Sequence, residues 1–335
     1  VDDRPAIAIT LGDPCGVGPE IVAAAFALRS EHPFTARLFV IGSPALLARA
    51  AARLPGLATE LIGSPEEART IPGVIPVLDP GGPDLSRALP GRPTVEDGRG
   101  AFACLTLAAE LAISGRVQAV VTAPVSKKAI SDAGIPFQGH TEYLAGIAGV
   151  TDFAMMLVSE ALRVVPVTRH IPLSRVPEEL TVGRIRGTIG IVDDGLRRLF
   201  AIPRPRIAVT ALNPHGGEEG LFGGEEGAII APAIAAARGE GIDVAGPFPA
   251  DTLFVRARKG EFDAVVTMYH DQAMIPIKLL SFGGGVNVTL GLPFLRTSVD
   301  HGTAYDIAGK GVADPGSLVA AIDLAVSMAG QRGRG

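Results

Sequence analysis

The stretch Ala6-Ile7-Ala8-Ile9-Thr10-Leu11, followed by Gly12-Asp13-Pro14-Cys15-Gly16-Val17-Gly18-Pro19-Glu20, decides the fold. The short apolar run reads as a buried strand, the glycine loop ends it, and Pro19 suits the first position of a helix predicted over 19–30. The alternation recurs along the chain. Strands are predicted at 37–41, 61–63, 74–78, 118–122, 162–168, 206–210, 264–267 and 286–290, and helices at 94–114, 181–200, 225–238 and 315–329. In 94–114, Phe102, Leu105, Ala109 and Ala112 share one face; in 181–200, Ile185, Ile189, Val192, Leu196 and Leu199 do. Strands alternating with helices predict an α/β fold with a mostly parallel sheet covered on both faces. Residues 79–93 carry neither pattern and read as a surface excursion at a subunit contact.

Outward from that core, composition narrows the class. At roughly 150 residues per domain, 335 residues predict two domains. Hydrophobic residues at 47% and charged residues at 19% exclude a disordered chain. The net charge of −5 and the absence of tryptophan argue against a nucleic-acid partner. No apolar run reaches the roughly 18 residues that span a bilayer, so no membrane partner is expected. Val1-Asp2-Asp3-Arg4-Pro5 is too acidic for a signal peptide. The only cysteines, Cys15 and Cys104, rule out a disulfide scaffold and a cysteine-rich zinc site, which points to the cytoplasm.

The familiar phosphate-loop, serine-hydrolase and zinc-protease motifs are absent. Gly16 and Gly18 begin a dinucleotide fingerprint, but Ile21 stands at the third glycine position, so the Rossmann pattern fails. The glycines either let a ligand approach the backbone or make a tight turn. Of six histidines, His32 beside Pro33 reads as solvated. His170, His215 and His270 each follow a predicted strand, at the carboxyl edge where open α/β sheets place ligands. Three imidazoles converging there would suit a divalent metal with one position open; separately they are ordinary core or surface histidines. Lys278 and Arg296 stand in apolar, glycine-rich surroundings, as anion-binding groups do, or as snorkelling surface side chains do.

A series of segments now appears in order: Gly12–Glu20, Gly139-His140-Thr141-Glu142, Leu212-Asn213-Pro214-His215, Pro249-Ala250-Asp251-Thr252, Met268-Tyr269-His270-Asp271-Gln272, Gly285-Val286-Asn287-Val288-Thr289-Leu290-Gly291-Leu292-Pro293 and Arg296-Thr297-Ser298-Val299-Asp300-His301-Gly302-Thr303. Together they closely resemble the 4-hydroxythreonine-4-phosphate dehydrogenase family of pyridoxal phosphate biosynthesis, over about residues 6–330. The resemblance implies two α/β/α domains of the isocitrate and isopropylmalate dehydrogenase type with a cleft between them. Residues 1–130 with 290–335 would form the first, on the cofactor side, and 131–289 the second, with the metal and substrate residues. The opening loop is similar to the wider group's GDGIGPE, and 301–309 to its HGSAPDIAG cofactor loop.

Carried over by position, the resemblance implies His170, His215 and His270 as ligands of one divalent metal (zinc, magnesium or cobalt). It implies His140, Thr141, Lys278, Asn287 and Arg296 as substrate-binding residues, and Gly302 and Asp306 as cofactor-binding residues for NAD or NADP. Asp251 and Asp271 are candidates for the general base, although a carboxylate beside imidazoles also serves to orient them. Lys127 falls in a further family segment without a role.

The reaction expected is NAD-dependent, metal-dependent oxidation of 4-phosphooxy-L-threonine, a phosphorylated hydroxy acid, with decarboxylation, by a homodimer whose active sites are shared. Two departures bear on the substrate: Gly284 stands where many members carry a charged residue, and Leu221-Phe222-Gly223-Gly224 replaces a more polar stretch. Alternatives are a dehydrogenase of 4-phospho-D-threonate or erythronate, or of an aromatic cis-diol dicarboxylate. From another class, the alternative is a non-redox metabolite-binding or acyl-phosphate transferase protein on the same scaffold, which binding of NAD would exclude.

Overall fold

The structure, a computed structural model, describes residues 4–29, 34–281 and 284–332. His32, with its expected solvated place, lies outside the described residues, as do Phe282 and Gly283 of the segment before β11 below. The chain divides into two compact units, Val1–Val150 with Leu292–Gly335, and Thr151–Gly291. The first begins β1 (Ala6–Thr10), α1 (Gly18–Leu28), β2 (Arg37–Ile41), α2 (Pro44–Ala51), β3 (Ala58–Ile62), β4 (Val74–Leu78), α3 (Val95–Ile113), β5 (Ala119–Thr122), α4 (Lys127–Asp132) and α5 (His140–Ile147). The second runs β6 (Ala154–Val158), β7 (Arg163–Pro166), α6 (Val176–Glu179), α7 (Val182–Phe200), β8 (Ile207–Thr210), α8 (Ala231–Gly239), β9 (Val244–Phe248), α9 (Ala250–Arg258), β10 (Ala264–Thr267), α10 (His270–Leu280) and β11 (Val286–Leu290). The chain then returns to the first unit with β12 (Leu295–Val299) and α11 (Gly316–Arg332).

In the first unit the strand order is β3-β4-β2-β1-β5-β12, parallel at every pairing. Every residue of β1, β5 and β12 is buried, as expected of parallel strands covered on both faces. The covering helices follow from local sequence. Thr94 and Asp97 form a reciprocal cap at the start of α3: Thr94 Oγ1 accepts from the Asp97 N–H and an Asp97 carboxylate oxygen accepts from the Thr94 N–H. Such a cap is worth about 1 kcal/mol. The excursion 79–93 has no helix or strand, but its Leu85 and Ala88 are buried.

In the second unit the order is β11-β6-β7-β10-β8-β9, with β6 antiparallel to both its neighbours and the rest parallel. The stripe foreseen on α7 is the one that is buried: Ile185, Ile189, Val192, Leu196 and Leu199. Leu157, Val164, Ala208, Leu253, Val265 and Ile277 make up much of one core cluster, to which α9 and α10 contribute.

The domain boundary differs from expectation. Residues 131–150, and with them His140 and Thr141, belong to the first unit. The cause is aromatic packing that sequence spacing does not display. Tyr143 of α5 lies 4.8 Å, ring to ring, from Phe102 of α3, and its hydroxyl is 2.7 Å from Thr106 Oγ1. Near 225–238 the single predicted helix is a π-helical turn, Glu226–Ile230, continued by α8.

Candidate active site

The glycine loop after β1 is explained by the chain's own backbone. A Cβ on Gly18 would lie 2.2 Å from the Leu11 carbonyl oxygen, and one on Gly16 would lie 2.9 Å from that of Thr303. Of the two readings of this loop, the tight turn accounts for both glycines.

Arg296 is the second residue of β12, 2% exposed, within the first unit. Its guanidinium donates to Thr122 Oγ1 at 2.7 Å, at the end of β5, and to Thr141 Oγ1 at 3.5 Å, in the first turn of α5. Burial pulls its pKa down to about 10, with Glu142 opposing. The adjoining His140 is partly exposed as a residue, yet its Nε2 is buried without a hydrogen-bond partner. Burial, then the nearby charges of Arg296 and Lys127, push that imidazole down to about 3, so it is neutral at physiological pH. Lys127, at the start of α4, lies close by: its Nζ is 3.4 Å from where a Cβ on Gly139 would stand. The cluster therefore offers a buried cation, a hydroxyl, a neutral imidazole and a second cation, a set suited to a phosphate or carboxylate.

In the second unit, β7, β10 and β8 are adjacent and parallel, so His170, His270 and His215 do leave neighbouring carboxyl ends. Gln272 fixes the first turn of α10 there. Its Oε1 accepts from the Met268 N–H at 2.9 Å and from Thr210 Oγ1 at 3.0 Å, and its Nε2 donates to the Ala211 carbonyl at 2.9 Å. The His170 segment is tied to the same turn: Thr168 Oγ1 donates to the Met268 carbonyl at 2.8 Å. As a result the rings of His170 and His270 lie 5.5 Å apart. His270 Nδ1 is 2.7 Å from the Asp271 carboxylate, an orienting contact of the kind that prepares Nε2 for a metal.

The His215 ring packs 6.5 Å from Phe222, on a loop where His215, Glu218 and Glu219 all take positive φ. Glu226 holds this loop by accepting from the Leu212 and Asn213 N–H groups at 2.9 and 2.7 Å. Burial works to raise the Glu226 pKa, but these bonds and that from the Asn213 side chain outweigh it and keep the carboxyl below its usual range. Among the described residues no group of three or more His, Cys, Asp or Glu side chains is placed to hold a metal ion. Within one chain, then, the structure brings the His170 and His270 rings together and packs the His215 ring against Phe222.

Asn287 on β11 keeps its side-chain carbonyl oxygen buried without a partner. Lys278 is exposed on α10, eight residues and so about 12 Å along the axis from His270. Asp251 is exposed in the first turn of α9, and Gly302 and Asp306 are exposed on the 301–309 loop. Sequence reading missed Gln272 and Thr122 as organisers; a polar residue at a strand end carries no signal until its partners are known.

The model of the family described as pyridoxal phosphate biosynthetic protein PdxA matches residues 35–325. The chain belongs to that family. It is 49% identical over 337 residues to a 4-hydroxythreonine-4-phosphate dehydrogenase of Desulfosudis oleivorans, covering 100% of this chain and 99% of that protein. It is 46% identical over 325 residues to a D-threonate 4-phosphate dehydrogenase of Salmonella typhimurium, covering 96% and 98%. A crystal structure of a 4-hydroxythreonine-4-phosphate dehydrogenase from Klebsiella pneumoniae superposes with a TM-score of 0.90 at 45% identity, covering 97% of this chain and 99% of that one. Membership carries a dehydrogenase role. None of the described helices is long and apolar enough to cross a membrane.

Proposed function

We propose that this chain is an NAD- or NADP-dependent, divalent-metal-dependent dehydrogenase that oxidises 4-phosphooxy-L-threonine in pyridoxal phosphate biosynthesis. The observation that carries the reading is the buried Arg296 beside Thr141 and the orphaned His140 Nε2, in a chain of this family. Arg296, Thr141 and His140 bind an anionic group of the substrate, with Lys278 and Asn287 as further contacts. His140, being neutral, accepts or donates one hydrogen bond without adding charge. The hydroxyl carbon gives its hydride to the nicotinamide ring and the hydroxyl proton leaves to a base, Asp251 or Asp271. The resulting β-keto acid loses CO₂ to leave 3-amino-1-hydroxyacetone phosphate. A divalent ion, when bound, would stabilise negative charge developing on the substrate oxygen. His170, His215 and His270 are its proposed ligands. In this reading the set is completed across a homodimer whose active sites are shared. Gly302 and Asp306 are the proposed cofactor contacts.

A second reading has its own support: the similarity to the D-threonate 4-phosphate dehydrogenase matches that to several 4-hydroxythreonine-4-phosphate dehydrogenases. The two differ at the carbon bearing the amine or the hydroxyl. A panel of 4-phosphooxy-L-threonine, 4-phospho-D-threonate and 4-phospho-D-erythronate, with reduced cofactor and released CO₂ both measured and a chelator control, separates them. The reading expects the highest kcat/KM on the first substrate and loss of activity with chelator. A higher value on either of the others transfers the assignment; no cofactor reduction with any of them removes it.

A further inference from the structure

Asp13 of the glycine loop is 1% exposed and is the meeting point of three segments of the first unit. One carboxylate oxygen accepts from the Cys15 N–H at 2.9 Å. The other accepts from the Tyr305 hydroxyl at 2.5 Å and from the Ser126 N–H at 3.3 Å. The Asp13 N–H in turn donates to the Pro124 carbonyl at 2.9 Å. A carboxylate removed from water needs its lone pairs satisfied. Tyr305 supplies the shortest of these bonds, across 292 residues of sequence.

The loop that carries Tyr305 touches the same neighbours elsewhere. The Val17 N–H donates to the Thr303 carbonyl at 2.9 Å, and Gly16 leaves room for Thr303. Arg53 donates to the Gly309 carbonyl at 2.8 Å. Ala304, just before Tyr305, takes a φ of 45°, a strained conformation that persists only where neighbouring contacts enforce it. Gly302 and Asp306 flank this anchored stretch and are exposed.

We propose that Asp13 and Tyr305 form a positioning pair, a latch that fixes the 301–309 loop in the conformation that receives the nicotinamide cofactor. This rests on the dehydrogenase reading above. Neither side chain meets the cofactor; the pair acts through Gly302 and Asp306.

Tyr305→Phe removes one hydroxyl and keeps the ring. In the full-length protein, hydrogen exchange of the amides in 303–309 should quicken by about tenfold, the worth of one such bond. β1 and α11 should keep their protection. Titration calorimetry with NAD and NADP should show a dissociation constant raised by about tenfold. Steady-state kinetics should show the cofactor KM rising while kcat stays within about twofold. Asp13→Asn should loosen the same loop, and the double variant should be no worse than Asp13→Asn alone. Wild-type exchange in the Tyr305→Phe loop overturns the latch. So does a loosened loop that binds cofactor as tightly as before. If the unaltered protein binds neither dinucleotide, the dehydrogenase reading fails and takes the cofactor role of the latch with it, whatever the exchange data show.

Discussion

Arg296 is a guanidinium shut away from water that donates to two threonine hydroxyls. Away from water an anion is held more strongly by such a group than at the surface. Arg296→Ala is expected to lower kcat/KM by an amount equivalent to roughly 2–5 kcal/mol, mostly through KM. Unchanged kinetics would place Arg296 outside the site. His140 makes a prediction of a different kind. Its folded pKa of about 3 lies below its ordinary 6.5, so the folded state binds fewer protons between those values. Stability from this group is complete above about pH 6.5 and is lost as the pH falls through that window. Urea melts at about pH 7.5 and about pH 5 should show a smaller acid loss in His140→Gln than in the wild type. Sequence flagged Arg296 by its apolar, glycine-rich surroundings and again through a resemblance, and His140 through the resemblance alone. That Arg296 lies inside a fully buried strand was not legible, because Leu-Arg-Thr-Ser-Val shows no apolar alternation. Its polar members are satisfied by distant partners, such as the Ala321 carbonyl that accepts from Thr297 Oγ1 at 2.8 Å.

At the level of elements, the legible parts were those whose sequence carries its own period. β1, β2, β4, β10 and the α7 stripe fall where the apolar pattern put them. β6, β9, β12, α2 and α5 did not register. α5 is eight residues long and has no side-chain cap, so almost all its stability comes from packing on α3. The strand-end positions of His170, His215 and His270 were legible, but their mutual distances were not, because these depend on loop anchors. Gln272 is the sharpest test of that point. Gln272→Ala would leave the Met268 N–H and the Ala211 carbonyl without their partner, at a cost of about 2–4 kcal/mol in unfolding free energy. It should also weaken divalent-metal binding more than an exposed control such as Arg258→Ala, read by isothermal titration. Metal binding at the wild-type level in a destabilised Gln272→Ala protein would separate the anchor from the histidines.

For the whole molecule, the arrangement of the histidines bears on what assembles. His170 and His270 lie side by side in one chain, and among the described residues no group of three such side chains is placed to hold a metal ion. If His215 completes the set from a second copy, it does so in an isologous dimer whose two sites are equivalent. Each single alanine variant should then lose turnover while keeping its fold, and the triple variant should lose the bound ion. Mixing distinguishes a shared site from a self-contained one. When His215→Ala and His270→Ala subunits exchange, each mixed dimer gathers both lesions in one site and leaves the other intact. Activity should return, up to about half that of a wild-type dimer for each mixed dimer. An exchange confirmed by native mass spectrometry with no recovered turnover would mean that His215 and His270 belong to the same site of one chain, reached by a rearrangement of the 214–220 loop. Recovery would instead make the dimer the smallest active unit, so that specific activity falls on dilution below its dissociation constant.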